Sequence, residues 1–115
     1  MNIKKIIGNM GEEKIAWHYR IKGYRIIARN FSCRYGELDI VAQKGNTIAI
    51  VEVKTRKNSN FAEAKDYVNY TKQSKIKNTT DIFVQQNNLT KYNVRFDVAE
   101  VYTESKKINI IENAF

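Results

Sequence analysis

The stretch GELDIVAQKGNTIAIVEVKTR, residues 36–56, decides what kind of domain this chain forms. Lys44, Gly45 and Asn46 separate two apolar runs, Tyr35 to Gln43 and Thr47 to Thr55. A short glycine-bearing break between such runs predicts an antiparallel hairpin. In the second run Ile48, Ala49, Ile50 and Val51 are apolar on both faces, so this strand belongs inside a sheet with cover on each side. The charges come at its end, where Glu52 and Lys54 alternate with Val51 and Val53 and therefore emerge on one face. Asp39 lies between Leu38 and Ile40 in the first run, and the hairpin can bring it beside Glu52. Taking an ion out of water is expensive, so charges in these positions need partners or a purpose.

Outward from the hairpin, Ile7 to Lys22 reads as a helix stopped by Gly23, and Tyr24 to Phe31 as a strand. Arg56 to Asn60 is a basic loop. Helical spacing then appears in Ala64, Tyr67 and Val68 and again in Ile76, Thr80 and Phe83, and Asn87 with Asn88 can close that helix. Tyr92 to Tyr102 and Lys106 to Ile111 read as strands. The expected fold is α/β, a mixed sheet flanked by helices in the order α-β-β-β-α-β-β. The 115 residues contain no proline, repeat or linker, which predicts one domain.

Lys and Arg outnumber Asp and Glu by 20 to 12, a formal charge of +8 that suits a polyanionic partner, nucleic acid first. Cys33 is the lone cysteine, so an intrachain disulfide and a thiolate zinc cluster are excluded and a reducing cytoplasm is expected. The N-terminal MNIKKIIGNMGEE lacks the apolar length and cleavage site of a signal peptide, and no stretch reaches the roughly 20 apolar residues that span a bilayer. His18 is the only histidine, which rules out a histidine triad. No Gly-x-x-x-x-Gly-Lys phosphate loop occurs.

An aspartate, a gap of twelve residues, a glutamate, one apolar residue and a lysine match the pattern of the PD-(D/E)XK nucleases. Mg²⁺ or Mn²⁺ prefers oxygen ligands, so Asp39, Glu52 and the Val53 carbonyl are candidate metal ligands that leave room for water and phosphate. Lys54 would lower the cost of forming hydroxide and offset charge on the phosphorus. Glu12 shares a helix face with Ile15, Ala16 and Tyr19, which directs it at the sheet as a further catalytic or metal-binding carboxylate; its alternative role is an ordinary salt bridge. Glu13 falls on another side with Trp17 and Arg20 and reads as a surface or ion-paired residue, while Met10, Trp17 and Ile21 form a second apolar stripe. Gln73 is a candidate accessory group or a capping amide. Arg56, Lys57, Lys65, Lys72, Lys75 and Lys77 are candidates for a nucleic-acid-binding rim.

Gly8 with Glu12, Gly23-Tyr24 leading to Ala28-Arg29-Asn30, GELDIVA, IVEVKTR, Lys72-Gln73, Arg95-Phe96-Asp97-Val98 and the closing Asn113-Ala114-Phe115 together resemble the YraN-like bacterial proteins. That family is similar in its core motifs to archaeal Holliday-junction resolvases. The resemblance implies a restriction-endonuclease-like fold, Glu12, Asp39, Glu52 and Lys54 as a catalytic set with Gln73 as an accessory, branched DNA as substrate, and a homodimer. Glu37 and Asp97 fall in the same motifs without an assigned role. Asn78, Thr79 and Thr80 stand where the family's helix is richer in alanine and leucine. A metal-dependent DNA endonuclease is therefore the first expectation. A non-catalytic nucleic-acid-binding module on the same fold is the second, and an RNA- or ribosome-associated protein, for which no aromatic platform is evident, ranks last.

Overall fold

Asn2 starts the first helix. Its Oδ1 accepts the Lys5 N–H at 3.3 Å, and α1 runs Ile3–Ile21. The cap starts the helix four residues earlier than Ile7, so Gly8 and Gly11 lie within α1. Gly11 is where the helix presses on the sheet: a Cβ there would meet Thr55 Oγ1 at 2.8 Å. At the other end Gly23 takes φ +95, with Gly23 N–H bonded to the Arg20 carbonyl and Tyr24 N–H to that of Tyr19, a Schellman stop. The computed structural model describes residues 2–58 and 68–115. Ala64 and Tyr67, expected in the second helix, lie outside them.

After α1 come β1 (Arg25–Cys33), β2 (Gly36–Lys44), β3 (Thr47–Arg56), α2 (Tyr70–Gln86), β4 (Asn93–Tyr102) and β5 (Ile108–Ile111). This is the α-β-β-β-α-β-β order, built as a five-stranded mixed sheet of order β1-β2-β3-β4-β5. β3 and β4 pair in parallel across the α2 connection and the other neighbours are antiparallel. Asn69 caps α2 by accepting from Lys72 N–H at 2.9 Å, and Asn88, at φ 56, ends it. Among the described residues no helix is long and apolar enough to cross a membrane.

The sheet is covered on both faces, as the apolar run in β3 requires. Ile15, Ala16 and Tyr19 of α1 pack with Ile40, Ala42, Ala49 and Val51; Ile76 and Phe83 of α2 pack with Leu38, Val41, Ile48 and Ile50 on the opposite face. Thr79 and Thr80 are buried on α2, yet their hydroxyls donate to the Lys75 and Ile76 carbonyls at 2.8 and 2.7 Å. Those two polar residues are therefore satisfied within the helix.

Strand alternation breaks at a bulge in β1 between Ile26 and Ala28, and again beside the candidate site. Leu38 and Ile40 should share a face, but Leu38 packs on the α2 side and Ile40 on the α1 side. Their partners behave alike: Arg29, opposite Ile40, reaches the carboxylates of α1, whereas Phe31, opposite Leu38, packs edge-on against Phe83. Between them Asn30 takes the left-handed conformation at φ 54. Both strands thus change face at Asn30 and Asp39.

A buried ion network ties α1 to the middle of β4. Asp97, fully buried, accepts from Tyr19 OH at 2.6 Å, from Arg95 Nε and Nη2 at 2.9 and 2.8 Å, and from Asn113 N–H at 3.1 Å. Its position in a motif is explained by this structural role. Asp97→Ala would strand the Arg95 charge and should cost about 3–5 kcal/mol in a urea melt, against about 1 kcal/mol for Tyr19→Phe. Equal losses from the two variants would mean that Asp97 is not the hub.

Candidate active site

The β2–β3 ladder ends at the Ile40/Val51 pair, while β2 stays paired to β1 as far as Gly36 and β3 stays paired to β4 as far as Arg56. From Glu52 onward β3 therefore no longer pairs with β2. The Asp39 carboxylate takes over, accepting the Val53 N–H at 2.9 Å. N–H and C=O of one strand residue face the same neighbour, so the Val53 carbonyl faces the same gap. The face change at Asp39 frees its side chain for this edge.

The two helices also reach the gap. Glu52 is buried at the end of β3, and its Oε1 lies 2.7 Å from Lys72 Nζ of α2 and 3.9 Å from Lys54 Nζ. Glu12 comes from the sheet-facing side of α1, 3.8 Å from Arg29 Nη2. A concavity of about 180 Å³ is lined by Glu37, Asp39, Glu52, Lys72 and Lys75. Asp39, Glu52 and Lys54 are thus neighbours, and Glu12 stands near enough for its charge to act on Asp39 and Glu52. Lys72 and Lys75 border them.

The remaining candidates lie elsewhere. Gln73 donates its side-chain amide to the Val68 carbonyl at 2.9 Å and closes the turn that leads into α2. Arg56 is paired with buried Glu100, Nε to Oε2 at 2.8 Å, and Asn109 binds the other Glu100 oxygen. Lys57 lies on the surface, 3.8 Å from Glu104. Lys77 points the other way along α2, its Nζ 5.9 Å from the Phe96 and Phe115 ring centres. Lys65 is outside the described residues. Glu13 forms ion pairs with Arg29 and Arg20 beside the site.

Electrostatics are under tension here. Burial, then the Glu52 and Glu12 charges, push the Asp39 carboxyl up to about 7 even though the Val53 N–H opposes this. Burial also raises Glu12, opposed by Arg29 and by a hydrogen bond with Asn30. Among the described residues, Glu12 Oε1 and Arg29 Nε are buried without a hydrogen-bond partner. Burial lowers Lys54, and neighbouring Lys72 lowers it further; burial lowers Lys72 too, but the Glu52 and Asp39 carboxylates outweigh that and leave it raised.

The family model described as "Uncharacterised protein family UPF0102" matches residues 11–101. The chain belongs to the UPF0102 family. A UPF0102 protein of Caldicellulosiruptor saccharolyticus is 44% identical, covering 97% of this chain and 98% of its own length. One from Alkaliphilus metalliredigens is 40% identical over 98% and 100%, and one from Clostridium tetani is 40% identical over 96% and 94%. The matched span of this UPF0102 chain holds every candidate site residue, from Glu12 to Lys77.

Among the described residues, no group of three or more His, Cys, Asp and Glu side chains is gathered to hold a metal. Two carboxylates and a facing carbonyl still suit Mg²⁺, which keeps several waters and is seldom caged by protein ligands alone. The orphaned Glu12 oxygen and the mutual repulsion of Asp39 and Glu52 are what a cation would relieve. Arg29 and Asn30 are parts of this site that sequence reasoning passed over. Their signal was the Ala28-Arg29-Asn30 motif of the resemblance, which lies in β1, the strand paired with that of Asp39.

The Asp39 shift sets a pH dependence. Its folded value of about 7 lies above the ordinary 3.8, so the folded chain keeps a proton that the unfolded chain releases, and stability falls as pH rises through that window. Metal-free protein in EDTA should lose stability between about pH 4 and pH 7, and Asp39→Asn should be about 4 kcal/mol more stable than the parent at pH 8. Denaturant melts across that range check this, and a parent-to-variant difference that stays constant with pH would refute it.

Proposed function

We propose that this UPF0102 protein is a metal-dependent DNA endonuclease that hydrolyses phosphodiester bonds, with branched DNA such as a four-way junction as its substrate class. One observation carries the reading: two repelling carboxylates, Asp39 and Glu52, meet a pair of amines, Lys54 and Lys72, at the point where the sheet opens. Asp39, Glu52 and the Val53 carbonyl would hold Mg²⁺ or Mn²⁺, with Glu12 beside them. The ion would polarise the phosphate and activate water.

The chain's own residues supply the rest. Asp39 is anchored through one oxygen on the Val53 N–H, so its carboxylate is fixed at the gap. Lys54 is held near Glu52 with its charge disfavoured by burial and by Lys72, so it is suited to exchanging a proton with the attacking water and to offsetting charge that develops on the phosphate. Lys72 and Lys75 at the mouth engage backbone phosphates. The net charge of +8 favours approach of a polyanion from any direction.

The alternative is a binding module without hydrolysis, and the 2.7 Å contact between Lys72 and Glu52 favours it, since an ammonium there already neutralises the carboxylate. A cleavage assay on linear, flapped and four-way DNA with Mg²⁺, Mn²⁺ or EDTA separates the two. Cleavage should need the metal, and Glu52→Gln and Lys54→Ala should each lower it by roughly 100-fold or more while DNA binding persists. Excess Mn²⁺ should partly restore the first variant but not the second, because Lys54 does not supply metal occupancy. Absence of metal-dependent cleavage on every substrate, with both variants binding as the parent does, would leave the binding module.

The basic mouth makes a separate prediction. Each phosphate neutralised by a lysine contributes about 0.9 to the slope of log K against log salt. Replacing both Lys72 and Lys75 with Ala should therefore flatten that slope by about 2. An unchanged slope in a filter-binding titration would remove both from the interface.

A further inference from the structure

Arg29 stands between two consecutive carboxylates of α1 and closes on only one of them. Its Nη1 bonds Glu13 Oε2, while its Nη2 stops 3.8 Å from Glu12 Oε1, beyond hydrogen-bond reach. Among the described residues, Glu12 Oε1 and Arg29 Nε are buried without a hydrogen-bond partner. A guanidinium rich in donors thus lies beside a buried carboxylate oxygen and leaves it open. Elsewhere in the molecule an arginine that meets a buried carboxylate closes on it. Arg95 binds Asp97 through Nε and Nη2 at 2.9 and 2.8 Å, and Arg56 Nε binds Glu100 at 2.8 Å.

What sets Arg29 apart is the second acid. Successive helix residues point about 100° apart, so the guanidinium spans the angle between two neighbouring side chains. Glu12 is turned inward, its side chain 15% exposed, and Glu13 outward at 47%. From the outer side Arg20 also reaches Glu13, Nη1 to Oε1 at 3.4 Å. A half-exposed ion pair contributes little to stability, so the effect of the Glu13 pair lies in where it holds the guanidinium.

We propose, on the metal-dependent reading of the site, that Glu13 is a positioning residue: by holding Arg29 it keeps the Glu12 carboxylate open to the metal ion. Released from Glu13, the guanidinium has about 1 Å to travel before it reaches the roughly 2.8 Å of a charge-assisted pair with Glu12. That pair would answer the Glu12 charge as Arg95 answers Asp97, and a cation would have to break it. Held where it is, Arg29 offsets the burial of Glu12 through its charge without occupying the free oxygen. Glu13 therefore acts through two other residues. The plain attraction of its charge for a cation would need neither.

Mn²⁺ binding to the full chain, read from the electron paramagnetic resonance of the free ion, tests this without DNA or cleavage. Glu13→Ala should lower the Mn²⁺ affinity by roughly tenfold, the size expected when a group that orients a metal ligand is lost. Adding Arg29→Met should recover most of that loss, and by more than the same change raises the affinity of the parent. In a Glu12→Gln background Glu13→Ala should have no effect, because the carboxylate it serves is gone; this arm decides alone if Arg29→Met fails to fold. A parent that takes up no Mn²⁺ removes the metal-dependent reading and the proposal with it. Uptake by the parent that Glu13→Ala leaves unchanged overturns the positioning role alone. So does a loss that is additive with Arg29→Met, or that persists undiminished in the Glu12→Gln background, since either is the field of one lost charge.

Discussion

The bond from the Val53 N–H to the Asp39 carboxylate holds the site together, because it replaces a rung of the sheet at the point where the ladder stops. A buried backbone donor left without a partner is costly, so once β2 and β3 part beyond Ile40 and Val51 something must meet Val53. A side chain from β2 does so, and this brings a carboxylate within reach of Glu52. The backbone requirement and the electrostatic tension at the site have one origin. Had β2 continued in register, Val53 would have bonded to backbone and Asp39 would have pointed into a helix-covered face, where its charge could not be kept.

Two buried aspartates show what distinguishes a structural charge from a reactive one. Asp97 is enclosed, but Arg95, Tyr19 and Asn113 meet its oxygens, so its charge is fully answered. Asp39 instead faces Glu52 and Glu12, with one backbone N–H in return, and its carboxyl rises to about 7. Glu100 belongs with Asp97, held by Arg56 and Asn109. Perturbed carboxylates concentrate where folding has not neutralised them, and in this molecule that is the open end of the β2–β3 hairpin.

Much of this was legible from residue order alone. The hairpin, the two-sided burial of β3, the Gly23 stop and the closure of α2 by Asn88 all follow from local chemistry, in which apolar periodicity and turn residues act over a few positions. Glu12 could be aimed at the sheet because Ile15, Ala16 and Tyr19 fix the rotation of α1. The early start of α1 was missed because it rests on the Asn2 cap, which apolar spacing read from Ile7 onward does not register. The face change at Asn30 and Asp39 could not be read, since strict alternation puts Leu38 and Ile40 together and only cross-strand packing separates them. Arg56 was misjudged as part of an open basic loop because its partner, Glu100, lies 44 residues away on a parallel neighbour that a motif does not reveal. Long-range ion pairs of this kind decide which cations stay available to a ligand.

α1 is the element on which these arguments meet. One side of it sends Ile15, Ala16 and Tyr19 into the core and Glu12 toward the site, and the opposite side leaves Ile3, Met10, Trp17 and Ile21 exposed. The rotation of α1 is therefore fixed by its apolar contacts with the sheet, and the same contacts set where Glu12 stands relative to β3. A carboxylate held this way reaches Arg29 and the neighbourhood of Asp39 without any polar interaction having to steer the helix.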